Sequence, residues 1–233
     1  MSTDNIFDEY YEAIFRSSNK YSQAEYEDHV KNFDLVYAKY LTPEKQAKIL
    51  DVGCGTGYWL YYLKKKGYTN YSGIDISAQQ VKICRERINA EVEQADVFEY
   101  LKNKENSYDL IVGHDILEHI PKTKVITFLR LIYEALKPGG KVFLRTLNCG
   151  NPMSLRIRYA DFTHEFAVTE KSFYQILYLS GFRDIKILPN IDKGFLNKIV
   201  ANMIRFVLSK IMWYQGFVVP RILTPVIFGI AKK

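Results

Sequence analysis

The fold of this chain is decided by Ile49-Leu50-Asp51-Val52-Gly53-Cys54-Gly55-Thr56-Gly57. A short apolar run contains an acidic residue near its end, and three glycines then alternate with other residues before a helical pattern begins. Glycine is needed where the backbone must turn tightly and approach a ligand without Cβ atoms in the way. The N-terminus of the following helix offers unpaired N–H groups at the same place. The stretch therefore predicts a buried strand, a ligand-binding loop and a helix.

Short apolar runs and helical stretches alternate outward from this loop. The runs lie at 48–52, 70–74, 91–95, 110–113 and 141–145, and the helical stretches lie at 58–66, 78–88 and 124–136. Alternation of this kind makes a parallel sheet that is covered on both faces. Leu136-Lys137-Pro138-Gly139-Gly140 is expected to end a helix and turn into the fifth strand. Two more strands are expected at 184–188 and 224–231, with a very apolar helical segment between them.

The length of 233 residues suits one sizeable core rather than two. Apolar and aromatic residues at three- and four-residue spacing predict helix over 5–40, and Thr42-Pro43-Glu44 interrupts that pattern. We therefore divide the chain into an N-terminal helical cap at 1–46 and one α/β domain at 47–233. Within the domain we distinguish a segment at 147–172, after the fifth strand, and an apolar helical insertion at 195–222.

The spacing of the glycines discriminates between ligands. A dinucleotide-binding loop has the pattern G-x-G-x-x-G, whereas this loop is G-x-G-x-G preceded by an acidic residue. Together with Gly73-Ile74-Asp75-Ile76-Ser77, Gln94-Ala95-Asp96-Val97 and Leu117-Glu118-His119, it resembles the class I S-adenosylmethionine (SAM)-dependent methyltransferases. The resemblance runs in order through residues 48–146 and is nearest to ubiquinone-biosynthesis and sugar O-methyltransferases. It implies a doubly wound, Rossmann-like α/β fold with a seven-stranded, mostly parallel sheet.

The resemblance also implies the contacts of the cofactor SAM. Asp75 would accept hydrogen bonds from both ribose hydroxyls, Asp96 would bind the adenine amino group, and His114 would line the methionine end. The expected cofactor-binding residues are Asp51, Gly53, Cys54, Gly55, Gly57, Asp75, Ile76, Asp96, Val97 and His114. The product would be S-adenosylhomocysteine.

Two histidines are candidates for a general base, which an alcohol acceptor needs because it must lose a proton. His164 is preferred, because it lies in Asp161-Phe162-Thr163-His164-Glu165-Phe166, within the segment at 147–172 that the family folds over its acceptor. His119 is the rival. For both, the alternative is a structural role at a turn or helix start. Tyr10, Tyr11, Asp161 and Glu165 are the candidate acceptor contacts, and His29 is expected at the surface.

The predicted function is SAM-dependent methylation of a hydroxyl, because the motifs D-x-T-H-E and T-E-K-S resemble methyltransferases of sugars and surface glycans. The acceptor would be a sugar in a glycan or glycolipid. The alternatives are a phenolic quinone precursor or natural product and, in another class, a non-catalytic interaction module with a SAM fold. No nucleic-acid acceptor is expected, because no amino-methylating motif follows strand four. No metal is expected, because no cluster of His, Cys or Asp has metal-ligand spacing.

Charge and the apolar segment suggest where the protein acts. Residues 151–233 hold twelve basic against five acidic residues, which favours an anionic partner. The helical segment at 195–217 has one narrow polar stripe, so its broad apolar face needs cover from a membrane interface, a second copy or the domain's own core. An odd number of widely spaced cysteines and an acidic N-terminus without an apolar run predict the cytoplasm, either free or at the inner face of the membrane.

Overall fold

A seven-stranded sheet with the order β3-β2-β1-β4-β5-β7-β6 forms the centre of the molecule. The computed structural model describes residues 21–190 and 195–233. The strands are β1 Ile49–Val52, β2 Tyr71–Asp75, β3 Glu91–Gln94, β4 Tyr108–His114, β5 Leu136–Leu147, β6 Arg183–Pro189 and β7 Val226–Lys232. Strand β7 runs antiparallel to β5 and β6, and the pairs from β3 through β5 are parallel. The predicted doubly wound, mostly parallel sheet is confirmed.

Helices cover both faces of this sheet. They are α1 Gln23–Tyr37, α2 Tyr58–Lys65, α3 Ala78–Ile88, α4 Val97–Leu101, α5 Val125–Ala135, α6 Ser154–Ala160, α7 Glu170–Leu179 and α8 Phe195–Tyr214. Helix α1 is the described part of the predicted N-terminal cap. The rest of the cap that precedes residue 21, including Tyr10 and Tyr11, lies outside the described residues.

Side-chain caps explain where several of these helices begin. The hydroxyl of Ser22 accepts from the backbone N–H of Glu25 at the start of α1, and Ser77 does the same for Gln80 at the start of α3. Thr169 opens α7 with a reciprocal capping box. Each cap satisfies a backbone donor that the helix itself leaves unpaired, which typically stabilises a helix by about 1 kcal/mol.

The core lies on both sides of the sheet. On one face, α5 packs over β5, and α7 packs over β6 and β7. On the other face, α1, α2 and α3 form an aromatic-rich layer in which Tyr37 stacks on Phe143 at 4.9 Å and Trp59 is 2% exposed. Burying a large apolar side chain typically contributes about 1.5–3 kcal/mol. The aromatic layer therefore anchors α1 beside the loop that follows β1.

The start of β5 differs from the expectation of a turn at 136–140. The strand begins at Leu136, which pairs with Tyr108, and the ladder to β4 shifts register before Lys141. Gly139 has φ +79°, and a Cβ on Gly140 would meet the carbonyl oxygen of Lys137 at 2.8 Å. The glycines thus permit an irregularity within a longer strand rather than a turn that precedes it.

Helix α8 meets the rest of the protein on one side and exposes a broad apolar surface on the other. Arg205 donates to the carbonyl oxygen of Arg221, and Ser209 and Met212 on the same side are half-buried. The exposed side carries the apolar residues Ile199, Met203, Ile204, Phe206, Val207, Ile211, Trp213 and Tyr214. We call these eight residues the α8 apolar face. No helix in the described ranges has the length and hydropathy needed to cross a bilayer.

Candidate functional site

A cleft of about 500 Å³ opens at the carboxyl ends of β1, β2 and β4. Strand order reverses between β1 and β4, and α/β sheets bind their ligands at such a reversal. The cleft is lined by the glycine loop after β1, the ends of β2 and β4, the start of α4 and one side of α1. Its volume lies within the range of about 300–1,000 Å³ that small-molecule sites occupy.

The three positions of the loop require glycine for different structural reasons. All have positive φ, at +67° for Gly53, +54° for Gly55 and +89° for Gly57. Gly57 is the N-cap of α2, and a Cβ there would lie 2.4 Å from Sγ of Cys84. A Cβ on Gly55 would meet only the end of a glutamine side chain, at 2.9 Å. Gly57 therefore serves helix packing, whereas Gly55 lines the cleft.

Asp75 joins the end of β2 to the glycine loop. Its Oδ2 accepts a hydrogen bond from the backbone N–H of Gly55 at 2.8 Å, and its Oδ1 accepts from that of Ser77 at 2.9 Å. Each oxygen has a further lone pair, so both can also accept from a ligand. Burial raises the pKa of Asp75. The neighbouring Asp51 is also buried, and burial followed by the charge of Asp75 raises its pKa.

Three further residues, which follow β2 and β3, line the cleft. Asp96 caps α4 by accepting through Oδ1 from the backbone N–H groups of Phe98 at 2.8 Å and Glu99 at 3.1 Å. Oδ2 of Asp96 takes no part in these two bonds and can accept from a donor of a ligand. Ile76 is 40% exposed on the cleft, and Val97 lines it as well. An acidic group beside an apolar platform suits an aromatic heterocycle with an amino group.

His114 lies at the end of β4 and lines the cleft, where the sequence predicted it. Its ring stacks on Phe33 at 5.0 Å, and its Nε2 is 2.7 Å from the phenol oxygen of Tyr37. Burial lowers its pKa well below the ordinary value of 6.5. The imidazole is therefore neutral near pH 7, and it also ties α1 to the sheet.

The expectation that His29 lies at the surface was wrong. His29 lines the cleft and stacks on Tyr58 at 4.0 Å. Burial lowers its pKa to about 4, followed by the charge of Arg145. No local sequence pattern signals this position, because α1 meets the glycine loop only in the folded protein. One such link is the bond from the Tyr26 hydroxyl to the carbonyl oxygen of Thr56, at 2.7 Å.

An ion pair in the cleft also escaped sequence analysis. Nε of Arg145 on β5 donates to Oδ1 of Asp115 at 2.8 Å, and a second guanidinium nitrogen pairs with Oδ2. Both residues line the cleft. Asp115 directly follows β4 and has φ +53°. The pair places a fixed charge distribution at the bottom of the cleft.

A polar cluster lies where the turn after β4 meets the segment after β5. The rings of His119 and His164 are 4.8 Å apart, and Nε2 of His164 is 3.9 Å from Oδ2 of Asp161. His119 lines the cleft, whereas His164 lies behind it. Burial lowers the pKa of His119 to about 4, with the neighbouring imidazole of His164 as the second cause. We call His119, Asp161 and His164 the two-histidine cluster.

Thr163 connects the members of the two-histidine cluster. Its hydroxyl donates to Oδ1 of Asp161 at 2.7 Å, and its Oγ1 is 2.9 Å from Nδ1 of His119. A hydroxyl has one proton, so in this arrangement the hydrogen between Thr163 and His119 comes from the histidine. Nδ1 of neutral His119 then carries the hydrogen, and Nε2 carries the lone pair.

Backbone contacts hold the two segments together. The N–H of Glu165 donates to the carbonyl oxygen of Glu118 at 2.7 Å. The buried carboxyl of Glu118 accepts from the hydroxyl of Thr146 at 2.9 Å, and burial raises its pKa to about 7. The side chain of Glu165 is exposed, so the structure brings Asp161 into the cluster but not Glu165.

The cleft is lined by groups that suit the parts of SAM. Asp75 can accept from two adjacent ribose hydroxyls, and Asp96 with Ile76 and Val97 suits an amino-substituted heterocycle. The glycine loop allows close approach of a ligand to the backbone at Gly55. His114, Asp51 and His119 also line the cleft.

Comparison with known proteins supports this interpretation. A family model described as a methyltransferase domain matches residues 21–187. A SAM-dependent methyltransferase structure from Archaeoglobus fulgidus is 26% identical, with a TM-score of 0.71 over 96% of this chain and 100% of that one. A phosphoethanolamine N-methyltransferase of Haemonchus contortus in complex with SAM has a TM-score of 0.62 at 18% identity, over 97% of this chain and 60% of that one.

Curated relatives match over shorter stretches. A ubiquinone biosynthesis O-methyltransferase of Idiomarina loihiensis is 35% identical over 106 residues, which are 43% of this chain and 42% of that protein. A phosphoethanolamine N-methyltransferase of Caenorhabditis elegans is 28% identical over 165 residues, covering 66% of this chain and 34% of that protein. The chain thus matches less than half the length of either relative.

Proposed function

The chain belongs to the methyltransferase domain family, and from this premise we propose that it transfers the methyl group of SAM to a hydroxyl oxygen of its acceptor. SAM supplies a methyl group that its sulfonium already activates. The protein contributes a cleft that aligns the reacting atoms and excludes water, together with a group that handles the acceptor proton.

The observation that carries the choice of a hydroxyl is the two-histidine cluster at the acceptor end of the cleft. His119 faces the cleft, and the Thr163 bond leaves the lone pair of its neutral ring on Nε2. A lone-pair nitrogen in that place can accept a hydroxyl proton. We assign this role to His119 rather than to His164, which the sequence favoured, because His164 lies behind His119.

For the acceptor we propose a sugar hydroxyl in a glycan or glycolipid. The support is the segment after β5, whose motif resembles sugar methyltransferases and which places Asp161 and Thr163 beside His119. The second candidate is a phenolic quinone precursor, and the ubiquinone biosynthesis relatives favour it. A phosphoethanolamine amine is a third candidate, named by another relative.

An amphiphilic acceptor would agree with the outer surface of the molecule. The side chain of Asn148 donates to the carbonyl oxygen of Ile222, and that of Asn151 donates to that of Leu223. These bonds join the segment at 147–172 to the stretch that follows α8. We therefore propose that the α8 apolar face lies on an anionic membrane surface, so that a lipid-linked acceptor can reach the cleft. The basic residues of 151–233 would be attracted to the same surface.

The proposal is tested with purified protein and SAM carrying a labelled methyl group. Sugar, glycolipid, catechol-type phenol and phosphoethanolamine acceptors are compared in parallel. We expect label on a hydroxyl oxygen, which mass spectrometry of the product locates. Transfer to phosphoethanolamine alone would overturn the choice of oxygen, and SAM binding without transfer to any class would support the non-catalytic alternative.

A further inference from the structure

The two-histidine cluster has the composition of a metal site. One ligand atom from each of His119, Asp161 and His164 lies within 4.8 Å of the others, so one ion could contact all three after small side-chain rotations. No metal is expected from the sequence, because no His, Cys or Asp cluster has metal-ligand spacing. These three residues come from two segments that meet only through the fold. The bond between Glu165 and Glu118 brings these segments together.

The neighbouring groups orient the ligands as they do in metal sites. Metal-binding histidines usually donate their other ring N–H to a carboxylate, carbonyl or hydroxyl, which fixes the tautomer. Nδ1 of His119 makes that bond to Thr163, so Nε2 points its lone pair elsewhere. Asp161 is held in the same way, since its Oδ1 accepts from both the N–H and the hydroxyl of Thr163. Thr163 thus positions two ligands at once.

His164 supplies an independent observation. Its Nδ1 is buried and has no hydrogen-bond partner, and only 11% of its side chain is exposed. Buried polar atoms of proteins are nearly always paired, and an unpaired one calls for an ion, water or ligand. A metal ion bound in the cluster would give Nδ1 of His164 a partner.

We propose that His119, Asp161 and His164 bind one divalent transition-metal ion, which in turn coordinates the acceptor hydroxyl. Two imidazoles and one carboxylate favour an ion of the zinc or manganese kind over magnesium, which prefers oxygen ligands. Three protein ligands leave positions open for a substrate, as in catalytic metal sites.

The place of the cluster gives the ion its role, and this part of the inference rests on the proposed function. His119 borders the cleft, so the ion would lie beside the acceptor hydroxyl and leave the path from its oxygen to the methyl group open. A metal-bound hydroxyl has a lowered pKa and can release its proton to water. The oxygen then forms a bond to the methyl carbon as the carbon–sulfur bond breaks and leaves a neutral thioether. His119 would act as a ligand in this case rather than as the proton acceptor.

Metal binding is tested on the full chain after treatment with a chelator and without acceptor or SAM. Calorimetric titrations with ZnCl₂, MnCl₂ and MgCl₂ should give one equivalent of tight binding for zinc or manganese. CoCl₂ should produce visible absorption bands of a nitrogen- and oxygen-ligated ion. Asp161→Asn and His164→Gln should each weaken binding by at least about 100-fold, since a ligand is lost.

Two further variants separate a metal site from a structural cluster. Thr163→Val should weaken binding about 10–100-fold, whereas Thr163→Ser, which keeps the hydroxyl, should bind as the wild type does. His29→Gln is the matched histidine control outside the cluster and should leave metal affinity unchanged. Circular dichroism checks that each variant folds.

The outcomes separate this inference from the proposed function. Absence of binding at about 1 mM metal, the upper end of Kd values for weak cation sites, would overturn the metal site. Equal binding by the wild type and Asp161→Asn would overturn it as well. SAM titration and methyl transfer are measured independently of the metal. If both persist in the chelated protein, only the metal inference fails; if metal binds but no acceptor is methylated, only the proposed function fails.

Discussion

The backbone N–H of Gly55 donates a hydrogen bond of 2.8 Å to Oδ2 of Asp75. One carboxylate thus holds the glycine loop against the end of β2 and, at the same time, faces the cleft where a ribose would lie. The loop and the acid form a single unit, and changes to either should be visible in cofactor affinity.

Asp75→Ala should weaken SAM binding by roughly 1.5–3 kcal/mol, the range for hydrogen bonds to a charged group. Isothermal titration calorimetry measures this directly, with Glu105→Ala as the control because Glu105 is an exposed acid away from the cleft. An Asp75→Ala affinity equal to that of the wild type would remove Asp75 from the cofactor site.

Three glycine-to-alanine variants should separate cofactor contact from packing. Gly55, Gly57 and Gly67 all have positive φ, so each substitution carries strain of roughly 1–2 kcal/mol. Gly67→Ala adds nothing else, because no atom lies within 4 Å of its Cβ. Gly57→Ala should be the least stable, since its Cβ would collide with Cys84. Gly55→Ala should match Gly67→Ala in thermal unfolding but lose SAM affinity.

The opposite pattern for these glycines would place the cofactor elsewhere. If Gly55→Ala binds SAM normally while Gly57→Ala folds as well as Gly67→Ala, the division of roles between the two glycines is wrong. Stability and affinity have to be measured on the same three preparations.

His119→Gln should lower kcat by about 10²–10⁴-fold, the usual contribution of acid–base help. SAM affinity should change little, because the cofactor contacts lie at the loop and the strand ends. His164→Gln is the internal comparison, and the assignment of the proton acceptor to His119 predicts a smaller loss for it. A larger loss for His164 would restore that residue as the base, and equally large losses would fit the metal site.

Protonation of His29 should contribute to the pH dependence of the free energy of unfolding. Burial lowers its folded pKa from 6.5 to about 4, with Arg145 lowering it further and Glu25 and Asp28 opposing. Between these values the unfolded chain binds a proton that the folded protein does not. Stability is therefore lost as pH falls through this window, by up to about 3 kcal/mol for this group.

His29→Phe keeps the stacking on Tyr58 but cannot be protonated. Urea unfolding at several pH values between 4 and 7 should show a shallower decrease for this variant than for the wild type. Part of the decrease will remain, because His114 is also buried with a lowered pKa. Parallel curves for the two proteins would contradict the buried, neutral state of His29.

The α8 apolar face should mediate binding to anionic vesicles. Replacing Met203, Phe206 and Ile211 together by serine should reduce cosedimentation with phosphatidylglycerol-containing vesicles at least about tenfold, since burial of each side chain contributes about 1.5–3 kcal/mol. These residues are 50–65% exposed, so the fold should persist. Leu35→Ser is the control, because the side chain of Leu35 on α1 is 42% exposed and lies outside the α8 apolar face.

The same variant distinguishes a membrane from a second copy of the chain. Light scattering coupled to size-exclusion chromatography should give a monomer for both the wild type and the triple variant. A wild-type dimer that the substitutions dissociate, together with no vesicle binding, would assign the α8 apolar face to self-association.

Local patterns explain why so much of the fold could be predicted. The period of apolar residues located α2 and α3 within about a residue, and the G-x-G-x-G loop located the cleft. Where tertiary contacts decide, the sequence was uninformative. His29 is polar and lies on a helix with a solvent side, and only the packing of α1 on the loop places it in the cleft. The polar stripe of α8 was visible in the sequence, but the side on which this helix meets the protein was not, since Leu208 and Met212 are half-buried while Asn202 of the stripe is exposed.

Helix α1 supplies a wall of the cofactor cleft, because His29 and Phe33 face the ligand space and Tyr26 is bonded to the glycine loop. A cofactor bound in this cleft would therefore contact α1 as well as the glycine loop and the strand ends. Amide hydrogens of α1 should then exchange more slowly when the cofactor is bound, so that hydrogen exchange in this helix reports whether the site is occupied.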